Sequence, residues 1–174
     1  MNSLAHHLPA LQVIVPMLTA PLVMLLKPAG LARAAATAAS LFAFAIAIAL
    51  TIGVLDGHIY TYRMGSWPAP YGITLVADTL GAIMVVLGGL TGFAVAVYAL
   101  ADIDPEKERL GYHALFQVLI AGVSGAFLTG DLFNLYVWFE VLLLSSFVLM
   151  SSERGAEARA GAWRYELLNL ISSL

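Results

Sequence analysis

The sequence predicts an all-α polytopic membrane protein, and three observations carry that expectation. Hydrophobic residues fill 61% of the 174 positions and charged residues only 11%, a balance outside that of soluble globular domains. Apolar stretches of about 20 residues, the length that crosses a bilayer, recur along the chain with short polar breaks between them. Lys and Arg are confined almost wholly to alternate breaks, which is the bias that the positive-inside rule describes.

Five complete spans are expected, at 8–26, 34–54, 79–101, 110–130 and 132–152, with an incomplete sixth at 160–174. Residues 1–174 then form a single, incomplete transmembrane domain. The first span is not a secretory signal, because no Lys or Arg precedes it and no small-residue cleavage site follows before Lys27. Lys27-Pro28-Ala29-Gly30 ends it. The second span opens with the small residues Ala34 to Ser40, which permit close helix approach in lipid. Asp102-Ile103-Asp104-Pro105 stops the third, and the charged run on to Arg109 reads as a solvated cytoplasmic turn. Gly130-Asp131 makes a corner between spans four and five, with Gly130 suited to a left-handed helix end and Asp131 to an N-cap. The last segment stops at Leu174, short of a crossing, so the chain reads as a fragment or a truncated reading frame.

Seven of the eight basic residues fix the orientation: Lys27, Arg33, Lys107, Arg109, Arg154, Arg159 and Arg164 all fall in breaks of one parity, and only Arg63 falls in the other. The N-terminus and the loop 56–74 are therefore expected outside. Trp67 and Tyr71 in that loop suit an interfacial aromatic belt or a contact with a partner subunit. The net charge of −3 comes without a basic cluster, which argues against nucleic acid as a partner. With no Cys and four scattered His, neither a metal site nor a cofactor is expected.

Of the nineteen charged residues, all but one fit a loop, a helix end or the opening of the last segment. Glu140 does not. It falls about 12–15 Å from either end of the fifth span, near the bilayer midplane. An ionised carboxylate there costs at least about 2.5–3.5 kcal/mol, so protonation, a polar pocket or a basic partner must compensate. Tyr136, one turn before it, is the hydrogen-bond donor on its own face. On span four, Gln117 and Ser124 bracket its depth and are expected to extend a polar path inward and outward. Asp78, at the outer start of span three, could draw cations toward the membrane, although an acidic residue at a helix N-terminus is favourable anyway. His113, at the inner start of span four, is a possible proton relay or a plain interfacial residue.

Two long stretches, Gly65-Ser66-Trp67-Pro68-Ala69-Pro70-Tyr71-Gly72-Ile73-Thr74-Leu75-Val76-Ala77-Asp78 and Gly125-Ala126-Phe127-Leu128-Thr129-Gly130-Asp131-Leu132-Phe133-Asn134-Leu135-Tyr136-Val137-Trp138-Phe139-Glu140, closely resemble the D subunit of multisubunit Mrp-type Na+/H+ antiporters. Arg164-Tyr165-Glu166-Leu167-Leu168-Asn169-Leu170 resembles the opening of that family's sixth helix. The resemblance implies the N-terminal part of a fold of about fourteen helices with two inverted repeats, related to the antiporter-like subunits of respiratory complex I. It implies that Glu140 is the family's essential fifth-helix glutamate, whose lysine partner on a seventh helix this sequence does not contain. It further implies Na+ and H+ as transported ions, the other antiporter subunits and the lipid bilayer as partners, the cell inner membrane as location, and a transporter in place of an enzyme. Two alternatives stand beside this: an antiporter-like proton-pumping subunit of NADH:quinone oxidoreductase or of a membrane-bound hydrogenase, and an inactive fragment or membrane scaffold.

Overall fold

The computed structural model describes residues 3–26, 28–67, 71–152 and 156–173. Lys27, Pro68, Ala69, Pro70 and Arg154 lie outside the described residues, as does the side chain of Arg159. The elements run α1 (Ser3–Leu25), α2 (Ala29–Leu55), β1 (Tyr60–Arg63), β2 (Thr74–Ala77), α3 (Thr79–Asp102), α4 (Pro105–Arg109), α5 (Tyr112–Leu128), α6 (Leu132–Ser151) and α7 (Ala156–Ser173). Each expected span is a helix. Helices α1, α2, α3 and α6 are long and apolar enough to cross a membrane, and α5 is a shorter apolar helix of 17 residues.

The shortness of α5 corrects the expected 110–130 and has a local cause at both ends. Gly111 takes a left-handed φ of 92° that separates α4 from α5. After Leu128 the backbone turns extended at Thr129 and bridges to Leu75. Leu75 belongs to an antiparallel hairpin, Tyr60↔Ala77 to Arg63↔Thr74, inside and just beyond the segment expected as a loop. The fold is thus helical with one small two-stranded sheet at the end that carries Asp78 and Asp131. Leu75 and Leu128 are fully buried there, beside Leu50 and Val85.

Gly130 is not left-handed; among the described residues, positive φ occurs at Gly57, Gly65, Gly111 and Ser66. Its missing side chain serves close approach instead. The Gly130 N–H donates to the Thr74 carbonyl at 2.8 Å, and a Cβ would stand 2.9 Å from Val76 Cγ2. Asp131 caps α6 as expected, accepting from the Asn134 N–H at 2.7 Å.

Helix α5 lies at the centre, packed against α1, α2, α3 and α6. Gly125 leaves room for the Trp138 indole, which a Cβ would overlap, and at Gly122 a Cβ would lie 3.1 Å from the Leu142 backbone nitrogen. These two glycines let α6 seat closely on α5. The far side of α6 meets α7, where the hydroxyls of Ser146 and Tyr165 lie 3.2 Å apart and Phe147 meets Trp163 edge to face. Much of the remaining α6 surface is exposed and apolar, as lipid or further protein requires.

Candidate functional site

Glu140 stands eight residues past Leu132 and eleven before Ser151, about 12 and 16 Å from the two ends of α6 at 1.5 Å per residue. Trp138 and Ser145 of α6 are buried, whereas Tyr136, Val137 and Leu144 are exposed. Helical spacing groups Glu140 with the exposed set, at i−4, i−3 and i+4. Its Oε1 is nonetheless buried and has no hydrogen-bond partner among the described residues. The Tyr136 phenol lies within interacting range of the carboxylate.

Gln117 and Ser124 turn elsewhere. The Gln117 Nε2 donates across to α2, to the Ala36 carbonyl at 2.8 Å and the Ser40 hydroxyl at 2.9 Å. Ser124 Oγ accepts from Gln12 Nε2 of α1 at 3.4 Å. Of the polar residues expected around Glu140, the structure brings Tyr136 to it and leaves Gln117 and Ser124 facing α2 and α1. Asp78 is exposed and caps α3, accepting from the Gly81 N–H at 2.7 Å.

His113 belongs to a different group. The expected solvated turn is in part a helix, α4, started by Asp104, whose carboxylate accepts from the Glu106 N–H, with Pro105 in its first turn. Helix formation turns Glu108 inward, where its side chain is only 8% exposed. Arg33 of α2 grips that carboxylate with two donors, Nε and Nη2, the latter at 2.6 Å from Oε2. His113 Nε2 lies 3.0 Å from Glu108 Oε1. The Arg33 hydrogen bond is the main cause holding the Glu108 carboxyl below its ordinary pKa, against the opposing effect of burial.

Two polar residues, Gln12 and Glu108, were not singled out by their sequence. Gln12 is fully buried, and its Oε1 lacks a partner among the described residues. Glu108 was hidden in a charged run, and the signal that could have found it is the Asp104-Pro105-Glu106 helix start. Glu166, expected near the opening of the last segment, lies ten residues into α7, with a buried Oε2 that has no partner among the described residues. The contact between Ser146 and Tyr165 aligns the two helices, and places Glu166 about 7 Å from Glu140 along their axes. Among the described residues, no cluster of three His, Asp or Glu side chains is placed to hold a metal ion.

A bundle of apolar helices, four of them long enough to cross a membrane, with a carboxylate midway along one of these, defines a polytopic membrane protein as the class. Comparison with known proteins narrows it. The chain is 38% identical over 164 residues, 94% of its length, to the D subunit of a Na(+)/H(+) antiporter from Bacillus subtilis. It is 42% identical over 112 residues, 64% of its length, to the D subunit of a probable K(+)/H(+) antiporter from Rhizobium meliloti. A chain of the Mrp complex from a Dietzia species superposes with a TM-score of 0.86 at 30% identity, over 98% of this chain and 32% of that one. A chain of the membrane-bound sulfane sulfur reductase, an archaeal respiratory membrane complex, superposes at 0.84 with 26% identity, over 98% and 34%. No protein-family model matches. The chain is thus a homologue of the antiporter D subunits, with an antiporter-like membrane fold. It spans 33% of the length of the Bacillus relative and 20% of the Rhizobium one.

Proposed function

We propose that the chain is a membrane segment of a D-type subunit in a multisubunit monovalent cation/proton antiporter of the cell inner membrane, and that Glu140 carries the proton. The observation behind this reading is the Glu140 carboxylate, in the middle of an apolar helix with its Oε1 buried and without a donor among the described residues. Charge at that depth needs a compensating partner, so arrival or departure of a countercharge is linked to release or uptake of a proton. Such linkage is the chemistry of exchange: one ion enters the site as the other leaves. Tyr136 supports the ionised form as a hydrogen-bond donor. The countercharge, the other subunits and the coupled cation, Na+ or K+, lie beyond the described residues.

The test uses the full-length subunit in its assembled complex, in sealed vesicles. Glu140→Gln keeps shape and hydrogen bonding but cannot titrate, and is expected to abolish cation/proton exchange while assembly persists. Glu140→Asp is expected to retain part of it. Exchange at the unmodified rate by assembled Glu140→Gln complexes would mean that Glu140 is a structural carboxyl.

The likeness to a chain of a respiratory complex favours a second reading, an antiporter-like subunit of a redox-driven pump. Whether the neighbouring reading frames encode antiporter subunits or redox subunits separates the two.

A further inference from the structure

A cavity at the α4 end of the bundle holds charged groups that the Glu140 reading does not use. It measures ≈570 Å³, and its lining includes Arg33, Glu108 and His113 beside the apolar Val23 and Ala114. The side chains of Glu108 and His113 are only 8% and 7% exposed. One turn along α5 from His113, Gln117 is fully buried. Its amide orientation is fixed: Nε2 donates to the Ala36 carbonyl and to Ser40 Oγ, whose own proton goes to that same carbonyl. Reversing the amide would set its oxygen against the Ala36 carbonyl oxygen, which has no proton to give. Gln117 Oε1 is left buried with no donor among the described residues. A buried water is the usual remedy for such an acceptor.

We propose that Glu108, His113 and Gln117 form a proton-loading site at the α4 end of the bundle, separate from Glu140, with a water held at Gln117 Oε1. The proposal rests on the reading that the assembled protein moves protons. In the loading step a hydronium in the cavity gives a proton to the free ring nitrogen of His113 and is left as water, giving an imidazolium whose Nε2–H donates to Glu108. Glu108, kept ionised by Arg33, accepts that bond, and the three groups together then carry one positive charge, which drives the proton onward. Transfer of that proton to the water at Gln117 restores the neutral ring and makes a hydronium, whose carbonyl partner is Gln117 Oε1 and which passes a proton on into the bundle and returns to water, so only N–H and O–H bonds form and break. The groups facing His113 are Glu108 on α4, Arg33 on α2 and the Tyr112 ring on α5 itself, 5.3 Å away between centroids, and Arg109 of α4 lines the same cavity. Among the described residues, α1 lines the cavity with Val23 and Met24, and Leu26 just after it, all apolar. Histidine is the side chain whose charge changes nearest neutral pH, which suits loading from cytoplasmic water.

The test measures initial exchange rates of full-length, assembled complexes in vesicles, against the pH on the α4 side. His113→Asn and Gln117→Leu are each expected to slow exchange about tenfold near pH 8.5, where protons are scarce, and less than about twofold near pH 6. Glu108→Gln, outside the long helices, is expected to give the same pattern and serves where a change in α5 prevents assembly. An unchanged pH profile in the assembled variants would overturn the proposal. So would an equal loss at every pH, which marks a clamp that only holds α2 to α5. If the unmodified complex moves no protons in response to any cation, the antiport reading itself fails and this site falls with it.

Discussion

At residue scale, the proposed proton carriage gives Glu140 and Tyr136 unequal parts. Tyr136→Phe removes one hydrogen-bond donor from the carboxylate, a change of about 0.5–1.5 kcal/mol, and is expected to slow exchange by no more than about tenfold where Glu140→Gln abolishes it. Rates of the two assembled variants in one vesicle preparation check that order. Asp131→Asn is expected to be nearly silent in rate and in thermal midpoint, because Asn caps a helix about as well as Asp. The places of Glu140 and Tyr136 along α6 were legible in the sequence because charge in an apolar run and i−4 spacing are one-dimensional facts. The direction of Gln117 was not. Depth along a helix follows from residue count, but the neighbour that a side chain faces depends on how α5 is rotated between α1, α2 and α6, and the apolar moment of so hydrophobic a helix hardly specifies that rotation.

At the scale of elements, the α5–α6 contact depends on two missing side chains. Gly125→Val would drive a branched group into the Trp138 indole and is expected to cost about 1–3 kcal/mol, read as a lower thermal midpoint of the detergent-purified protein. Gly161→Ala on α7, where a Cβ meets nothing within 4 Å, is the matched control and should leave the midpoint level or slightly raised. The clamp between α2 and α4 carries a pH signature. The folded-state pKa of Glu108 lies below its unfolded value, so the contribution of the Arg33 pair is present above the ordinary carboxylate range, about 4.3, and fades as pH falls through the lower folded value. Glu108→Gln should therefore unfold a few degrees lower than the unmodified protein at neutral pH, with the gap closing on acidification. The helices themselves were legible from apolar length. The β-hairpin was not, since its strands are four residues each and owe their order to burial of Leu75 against Leu128, a contact 53 positions apart in sequence. Helix α4 was missed for a similar reason: its charges look solvated until α2 supplies Arg33.

At the scale of the whole molecule, the basic residues orient every other claim. Reporters placed in 56–74 are expected to be reached from outside, and those in 102–109 from inside alone; labelling of both segments from one side would refute the orientation and would move the proton-loading site to the opposite face. The hairpin end and the α4 end then face different compartments, with Glu140 between them, an arrangement that lets one carboxyl be served from both sides. The central claim is that this carboxyl changes protonation during exchange. Infrared difference spectroscopy of the full-length, assembled complex on cation addition tests it most directly. A carboxylic C=O band that changes with the cation and is absent in Glu140→Gln complexes is the expected result; an identical difference spectrum with and without the Glu140 carboxyl would mean that Glu140 does not change protonation.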